Sequence, residues 1–129
     1  MFKNILIAID GSELAERALA NGLSLAKSMT AKVQLILVEA PMHAAEIKRQ
    51  ATRTLKHAAE QAKLAGVPCD TIQVEHDHPD QAIVAAAQDK QCDLIFMASH
   101  GHRKLSTALL GSVTLDVLRH TNIPVLVWR

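Results

Sequence analysis

Short apolar runs alternate along this chain with longer segments of helical pattern, and this alternation constrains the fold more than any other feature. Five runs predict β-strands, at residues 5–9, 33–38, 71–74, 94–97 and 125–128. Most of them are continuously apolar, which is typical of strands buried on both faces. Between the runs, small and apolar residues recur at spacings of three or four, as on a helix with one buried face. The predicted element order is βαβαβαβαβ.

Strict alternation of buried strands and helices predicts an α/β fold, a doubly wound parallel sheet of five strands in the order 3-2-1-4-5. Right-handed crossovers then place helices on both faces of the sheet. Turn residues support the helix boundaries. Gly66 can end the second helix in a left-handed conformation, Pro68 prevents its continuation, and Pro79 suits the first turn of the third helix. A short last helix is expected over residues 112–120.

Composition narrows the possible partners. A chain of 129 residues can bury a sizeable core, and we expect residues 1–129 to form one domain. The 14 basic residues nearly balance the 13 acidic ones, and the aromatic residues are one Trp and two Phe. A basic field and a platform for stacking bases are both missing, so nucleic acid is disfavoured as a partner. The first apolar run is too short for a signal peptide or a membrane span, so we expect a cytoplasmic protein without a membrane partner.

The two cysteines are expected to be reduced and structural. Cys69 and Cys92 precede the third and fourth predicted strands. In the predicted order two other strands separate these, at about 4.8 Å per strand. A disulfide requires Cα atoms within about 7 Å, so no disulfide is expected.

No catalytic or metal centre is indicated by the residue spacing. His76 with His78, and His100 with His102, are spaced to point to one side of an extended segment. A zinc site needs three or four ligands, and the sequence fixes no further ones, so no metal site is expected from the histidines. The chain has no G-x-S-x-G motif and no evident carboxylate pair, so neither a hydrolase triad nor acid–base catalysis by two carboxylates is expected.

The segment after the fourth predicted strand carries groups that suit a phosphate. Gly101 lets the backbone approach a ligand closely, and Gly111 with Ser112 offers N–H groups at a helix N-terminus. Further donors and charges in the same segment are His100, His102, Arg103 and Lys104. An ordinary β-to-α connection would also accommodate two glycines, so the segment alone does not define a site.

Asp10 strengthens the prediction because it ends the first strand. In the order 3-2-1-4-5 the chain reverses between strands one and four, and ligands of doubly wound folds bind at such a reversal. Asp10 and the glycine segment would therefore line one crevice. A carboxylate there can accept hydrogen bonds from a ribose or hold a Mg²⁺ ion that bridges phosphates; the alternative is an aspartate that only shapes the turn. Ser12 is expected to be the N-cap of the first helix.

The last strand, residues 125–128, is strongly apolar and would lie at an edge of the sheet. Exposed apolar edges favour pairing with another chain. We expect a two-fold homodimer through this strand. The alternative is that Pro124 and Arg129 protect the edge sufficiently.

The chain resembles the universal stress protein family. Four segments carry the resemblance, at residues 3–12, 34–38, 93–101 and 111–127. The nucleotide-binding subgroup of that family has the pattern G-x-x-G, nine residues, then G followed by Ser or Thr. Gly101 and the Gly111-Ser112 pair fit this pattern, whereas Ala98 replaces its first glycine.

The resemblance implies a cytoplasmic, dimeric stress-response protein that binds ATP or AMP. Asp10 and the backbone around Val38 would contact the adenosine. The residues that it implies around the phosphates are Ala98, Gly101, Gly111, Ser112 and Val113. A member that has lost nucleotide and acts as a protein-interaction dimer, with an unidentified protein partner, is the alternative that Ala98 favours. A weaker alternative is slow ATP hydrolysis or nucleotidyl transfer, which the lack of an evident general base disfavours.

Overall fold

The computed structural model describes residues 1–41, 44–101 and 110–129. The strands and helices follow the predicted order. They are β1 (Asn4–Ala8), α1 (Glu13–Ser28), β2 (Lys32–Glu39), α2 (Ala45–Ala65), β3 (Cys69–Glu75), α3 (Pro79–Asp89), β4 (Leu94–Ala98), α4 (Ser112–His120) and β5 (Val125–Trp128). The sheet is parallel, with the order β3-β2-β1-β4-β5. The predicted fold class and strand order are confirmed.

Helices cover both faces of the sheet, and each face has its own apolar core. On one face, Ile5 and Ile7 of β1 pack with residues of α1 and α2. On the other face, Leu6 of β1 packs with Ile83 of α3 and Val117 of α4. Burying each such side chain contributes roughly 1.5–3 kcal/mol, so the two cores hold the four helices against the sheet.

The predicted helix boundaries are also found. The side chain of Ser12 caps α1 by accepting a hydrogen bond from the Ala15 N–H at 3.2 Å. Gly66 ends α2 with a φ of 75°, in the left-handed region that glycine adopts without strain. Pro79 occupies the first turn of α3, where its missing N–H costs nothing.

Of the described strands, β3 is the most exposed and is not buried on both faces. In this strand Asp70, Thr71, Gln73 and Glu75 are exposed, and Ile72 and Val74 are half-buried. The reason is that β3 lies at an edge of the sheet and pairs only with β2 among the described strands. Its polar residues therefore alternate with apolar ones, as on a half-covered strand.

The two cysteines are free, as expected. Cys69 begins β3 and Cys92 precedes β4, with β2 and β1 between the two strands. Burial raises the pKa of each thiol from 9.0 to about 11, and the neighbouring Asp70 and Asp93 add to the effect. Such thiols are poor nucleophiles at neutral pH, which agrees with a structural role. Within the described ranges, no helix has the length and apolar character needed to cross a membrane.

Candidate functional site

A cleft of about 190 Å³ opens at the carboxyl end of the sheet, on the side of α3 and α4. It lies where β1 and β4 run side by side while the chain leaves them in opposite directions. This is the place at which doubly wound folds bind ligands. The cleft is lined by Ala8, Ile9, Asp10, Ala15, Ile36, Val38, Pro79, Ile83, Met97, Ala98, His100, Gly101, Val113 and Thr114.

Asp10 forms one side of the cleft and is fixed by its own turn. Its Oδ1 accepts a hydrogen bond from the Ser12 N–H at 2.8 Å, which holds the carboxylate at the start of α1. Gly11 makes the turn with a φ of 85°. Gly101 lies directly against this carboxylate, because a Cβ on Gly101 would collide with Oδ2 of Asp10. The absence of a side chain at position 101 thus lets the β4 loop approach the β1 loop.

The start of α4 forms the opposite side and is tied to the end of β4. The Gly111 N–H donates to the Ser99 carbonyl at 2.7 Å. The Thr114 hydroxyl donates to the Ala98 carbonyl at 2.9 Å and lies 3.2 Å from the Ser99 carbonyl. A Cβ on Gly111 would come within 3.1 Å of the Ser99 carbonyl oxygen, so glycine allows this close approach. The first N–H groups of a helix lack intrahelical acceptors and favour anions, and here that turn borders the cleft.

His100 lies between these two sides. The residue is buried, with 7% of its surface exposed. Nδ1 is 3.1 Å from the Ser99 hydroxyl oxygen. Nε2 is buried and has no hydrogen-bond partner among the described residues. Nε2 is thus an unused hydrogen-bonding group on a residue that lines the cleft. Leaving such a buried nitrogen unsatisfied is costly.

Most of the residues predicted from the sequence converge on this cleft. Its lining includes Asp10, Val38, Ala98, His100, Gly101 and Val113. Gly111 and Ser112 lie next to it at the start of α4, and Ser112 is exposed. The predicted Arg103 lies outside the described residues, as do His102 and Lys104.

Sequence reasoning missed the contributions of α3 and of Thr114. Pro79 and Ile83 place α3 along the cleft, and nothing in their spacing indicated a site. Thr114 is 3% exposed although it is polar. A polar residue on the buried side of a short predicted helix was the available signal.

Other polar groups of the described regions do not assemble into a metal centre. No group of three or more His, Cys, Asp or Glu side chains in these regions could hold a metal ion. His76 and His78 stand with their rings 6.1 Å apart. His57 and His120 are exposed on helices, and His120 lies 3.6 Å from Asp80.

The fold and the cleft define a doubly wound α/β domain with a ligand cleft at the switch point of its sheet. A sequence profile of the universal stress protein family matches residues 1–129, and the chain belongs to that family. It is 33% identical to a universal stress protein of Thermus aquaticus, and the match covers the whole of both chains.

Solved structures share the fold. The structure of protein MJ0577, called a universal stress protein of Methanocaldococcus jannaschii, has a TM-score of 0.90 and 30% identity, with 99% of this chain and 96% of that chain covered. A universal stress protein from Archaeoglobus fulgidus in complex with dAMP has a TM-score of 0.81 at 21% identity, with 98% of each chain covered.

Proposed function

We propose that this protein binds an adenine nucleotide, ATP or AMP, in the cleft at the switch point. The observation that carries the proposal is the close approach of two loops from distant parts of the sequence. Gly101 brings the β4 loop against the Asp10 carboxylate, and Gly111 brings α4 against the end of β4. Neither glycine could be replaced by a larger residue without disturbing that approach.

The chemistry of the lining suits the parts of a nucleotide. Ile36, Val38 and Met97 give an apolar wall at the ends of β2 and β4, which suits a base. The carboxylate of Asp10 can accept hydrogen bonds from ribose hydroxyls. The start of α4 favours the negative charge of phosphates. A Mg²⁺ ion accompanying the phosphates would have Asp10 as its nearest carboxylate in the cleft lining.

One of the comparison structures supports this choice of ligand. The Archaeoglobus protein with the same fold was solved with dAMP. Ala98 is the one departure from the expected glycine pattern, and it is 7% exposed at the end of β4. Its methyl group reduces the room in the cleft, so it lowers the affinity for a nucleotide without blocking the start of α4.

The proposal extends to a cytoplasmic homodimer that acts in the stress response through an unidentified protein partner. All four residues of β5 are half-buried, at an edge of the sheet. Leu115 and Leu118 of α4 are exposed, at 38% and 39%. A second copy pairing along β5 would cover this apolar edge.

The second candidate is a dimer that binds partners without nucleotide, and Ala98 is the observation that favours it. A thermal-shift titration with ATP, AMP and cyclic AMP separates the two. Ligand at 100 times its dissociation constant should stabilise the protein by about 2.7 kcal/mol. A melting temperature that does not change with any of the three nucleotides at millimolar concentration would contradict nucleotide binding.

Two variants sharpen this experiment. Gly111→Val should abolish the shift and leave the oligomeric state unchanged, because its side chain meets the Ser99 carbonyl and not β5. Ala98→Gly should increase the affinity by removing a methyl group from the cleft. Loss of the dimer in Gly111→Val, or weaker binding in Ala98→Gly, would show that the loop has been assigned the wrong role.

A further inference from the structure

His100 is a buried side chain whose surroundings satisfy only half of its hydrogen-bonding capacity. Nδ1 has the Ser99 hydroxyl at 3.1 Å, whereas Nε2 has no partner among the described residues. A buried polar atom without a hydrogen-bond partner destabilises the fold. His100 is among the residues that line the proposed nucleotide cleft, so a ligand in that cleft is an available source of a partner.

The ring is also placed beside the part of the cleft that favours anions. A Cβ built on Gly111 would be 3.6 Å from Cδ2 of His100, the ring carbon bonded to Nε2. Cδ2 therefore lies next to the start of α4, and Nε2 is the ring atom bonded to it. The helix has nine residues, and the partial positive charge of its first turn adds to any donor that lies next to it.

We infer that His100 donates a hydrogen bond from Nε2 to a phosphate oxygen held at the start of α4, and that Ser99 is the positioning residue that fixes this tautomer. The inference rests on the proposed function. In this assignment the Ser99 hydroxyl donates a hydrogen bond to Nδ1 across the 3.1 Å contact, and the ring proton is on Nε2. The backbone of Ser99 is held on both sides, since its N–H donates to the Trp128 carbonyl at 2.7 Å and its carbonyl accepts from Gly111.

This assignment separates the roles of the two sides of the cleft. Asp10 accepts from the sugar, and it offers nothing to a phosphate except through a metal ion. His100 and the first turn of α4 donate to the phosphate. The affinity for adenosine should thus be independent of His100, whereas the affinity for AMP and for inorganic phosphate should depend on it.

Isothermal titration of adenosine, AMP and inorganic phosphate tests the inference on four proteins: wild type, His100→Leu, His100→Gln and, as a control on an exposed helix position, His57→Leu. We expect His100→Leu to bind AMP and phosphate about 10- to 100-fold more weakly. This factor corresponds to roughly 1.5–3 kcal/mol for a hydrogen bond to a charged group. Adenosine should bind within about twofold of wild type. His100→Gln should recover most of the loss, because its amide nitrogen reaches the position of Nε2. His57→Leu should behave as wild type.

The role of Ser99 is tested by measuring which tautomer His100 adopts. Imidazole ¹⁵N spectra of wild type should show the proton of the His100 ring on Nε2. Ser99→Ala should shift the ring toward a mixture of tautomers. It should also lower the affinity for AMP, by a smaller factor than His100→Leu does. A wild-type spectrum with the proton on Nδ1 would overturn the inference.

The titrations also distinguish the inference from the proposed function. If wild type binds neither adenosine nor AMP, the proposed function is wrong, and the inorganic phosphate titration alone then decides the role of His100. If His100→Leu loses affinity for adenosine and for AMP by the same factor while its circular dichroism spectrum shows a folded protein, His100 has a packing role and the inference is overturned. AMP and phosphate affinities that do not change would also overturn it.

Discussion

Replacing Thr114 with valine removes the hydroxyl that joins α4 to β4 while keeping the shape of the side chain. The hydroxyl donates to the Ala98 carbonyl at 2.9 Å and lies 3.2 Å from the Ser99 carbonyl, at a position that is 3% exposed. Ser99 keeps its bond from Gly111 in the variant. The Ala98 carbonyl loses the bond that this side chain supplied.

The expected cost follows from that geometry. A buried hydrogen bond contributes about 1 kcal/mol, and a group left unsatisfied costs up to about 3 kcal/mol. We expect Thr114→Val to lower the free energy of unfolding by about 1.5 kcal/mol. With a urea m-value of about 1.5 kcal/mol/M, the midpoint should fall by about 1 M. The start of α4 is then less firmly held, so AMP should bind several-fold more weakly.

Urea denaturation and AMP titration of Thr114→Val and Thr114→Ser provide the assay. Serine keeps the hydroxyl and loses one methyl group, at a cost of about 0.8 kcal/mol. Its AMP affinity should stay at the wild-type value, and only the valine variant should lose both stability and affinity. A valine variant as stable as wild type, with unchanged AMP affinity, would refute the idea that this hydroxyl positions the helix.

Three further predictions address the cleft, the thiols and the sheet edge. Gly101→Ala should weaken AMP at least tenfold in a calorimetric titration, because its methyl group displaces the Asp10 carboxylate; unchanged affinity would contradict the proposed contact. Because the Cys92 pKa rises from 9.0 to about 11 on folding, the unfolded chain loses this proton first, so stability should fall as the pH rises from 9 to 11. Urea midpoints at pH 8 and 10.5 should show a shallower fall in Cys92→Ala than in wild type, and equal falls would contradict the assignment. Val127→Lys on β5 should give a monomer by sedimentation while Thr71→Lys on the opposite edge strand should not, and a dimer in both would exclude β5 as the interface.

The sequence predicted those parts of the molecule that depend on local patterns. Continuous apolar runs located β1, β2 and β4, and the turn chemistry of Gly66 and Pro79 located the ends of two helices. The exposure of β3 agrees with its edge place in the predicted order 3-2-1-4-5. Its length was not predicted: the apolar run covers residues 71–74, whereas β3 spans Cys69–Glu75, because backbone pairing with β2 continues through polar residues that no apolar pattern marks.

The candidate site was predictable where it depends on chain reversal and not where it depends on packing between helices. Asp10 and Gly101 were expected to meet, since parallel strands bring their carboxyl ends to one edge of the sheet. The contribution of α3 through Ile83 depends on how α3 packs against α4, which no spacing in the sequence encodes. The burial of Thr114 likewise depends on the angle at which α4 leaves the loop.

Amide chemical shifts recorded during an AMP titration test the central claim most directly, because they report on both loops in one experiment. The account predicts that the signals of Gly11 and Ser12, after β1, move together with those of Ser112 and Val113, at the start of α4, with one common dissociation constant. The amide of Thr71, on the far edge strand, should not move. Shifts in only one of the two loops, or shifts centred on β3 and α2, would contradict the claim that these loops form a single ligand site.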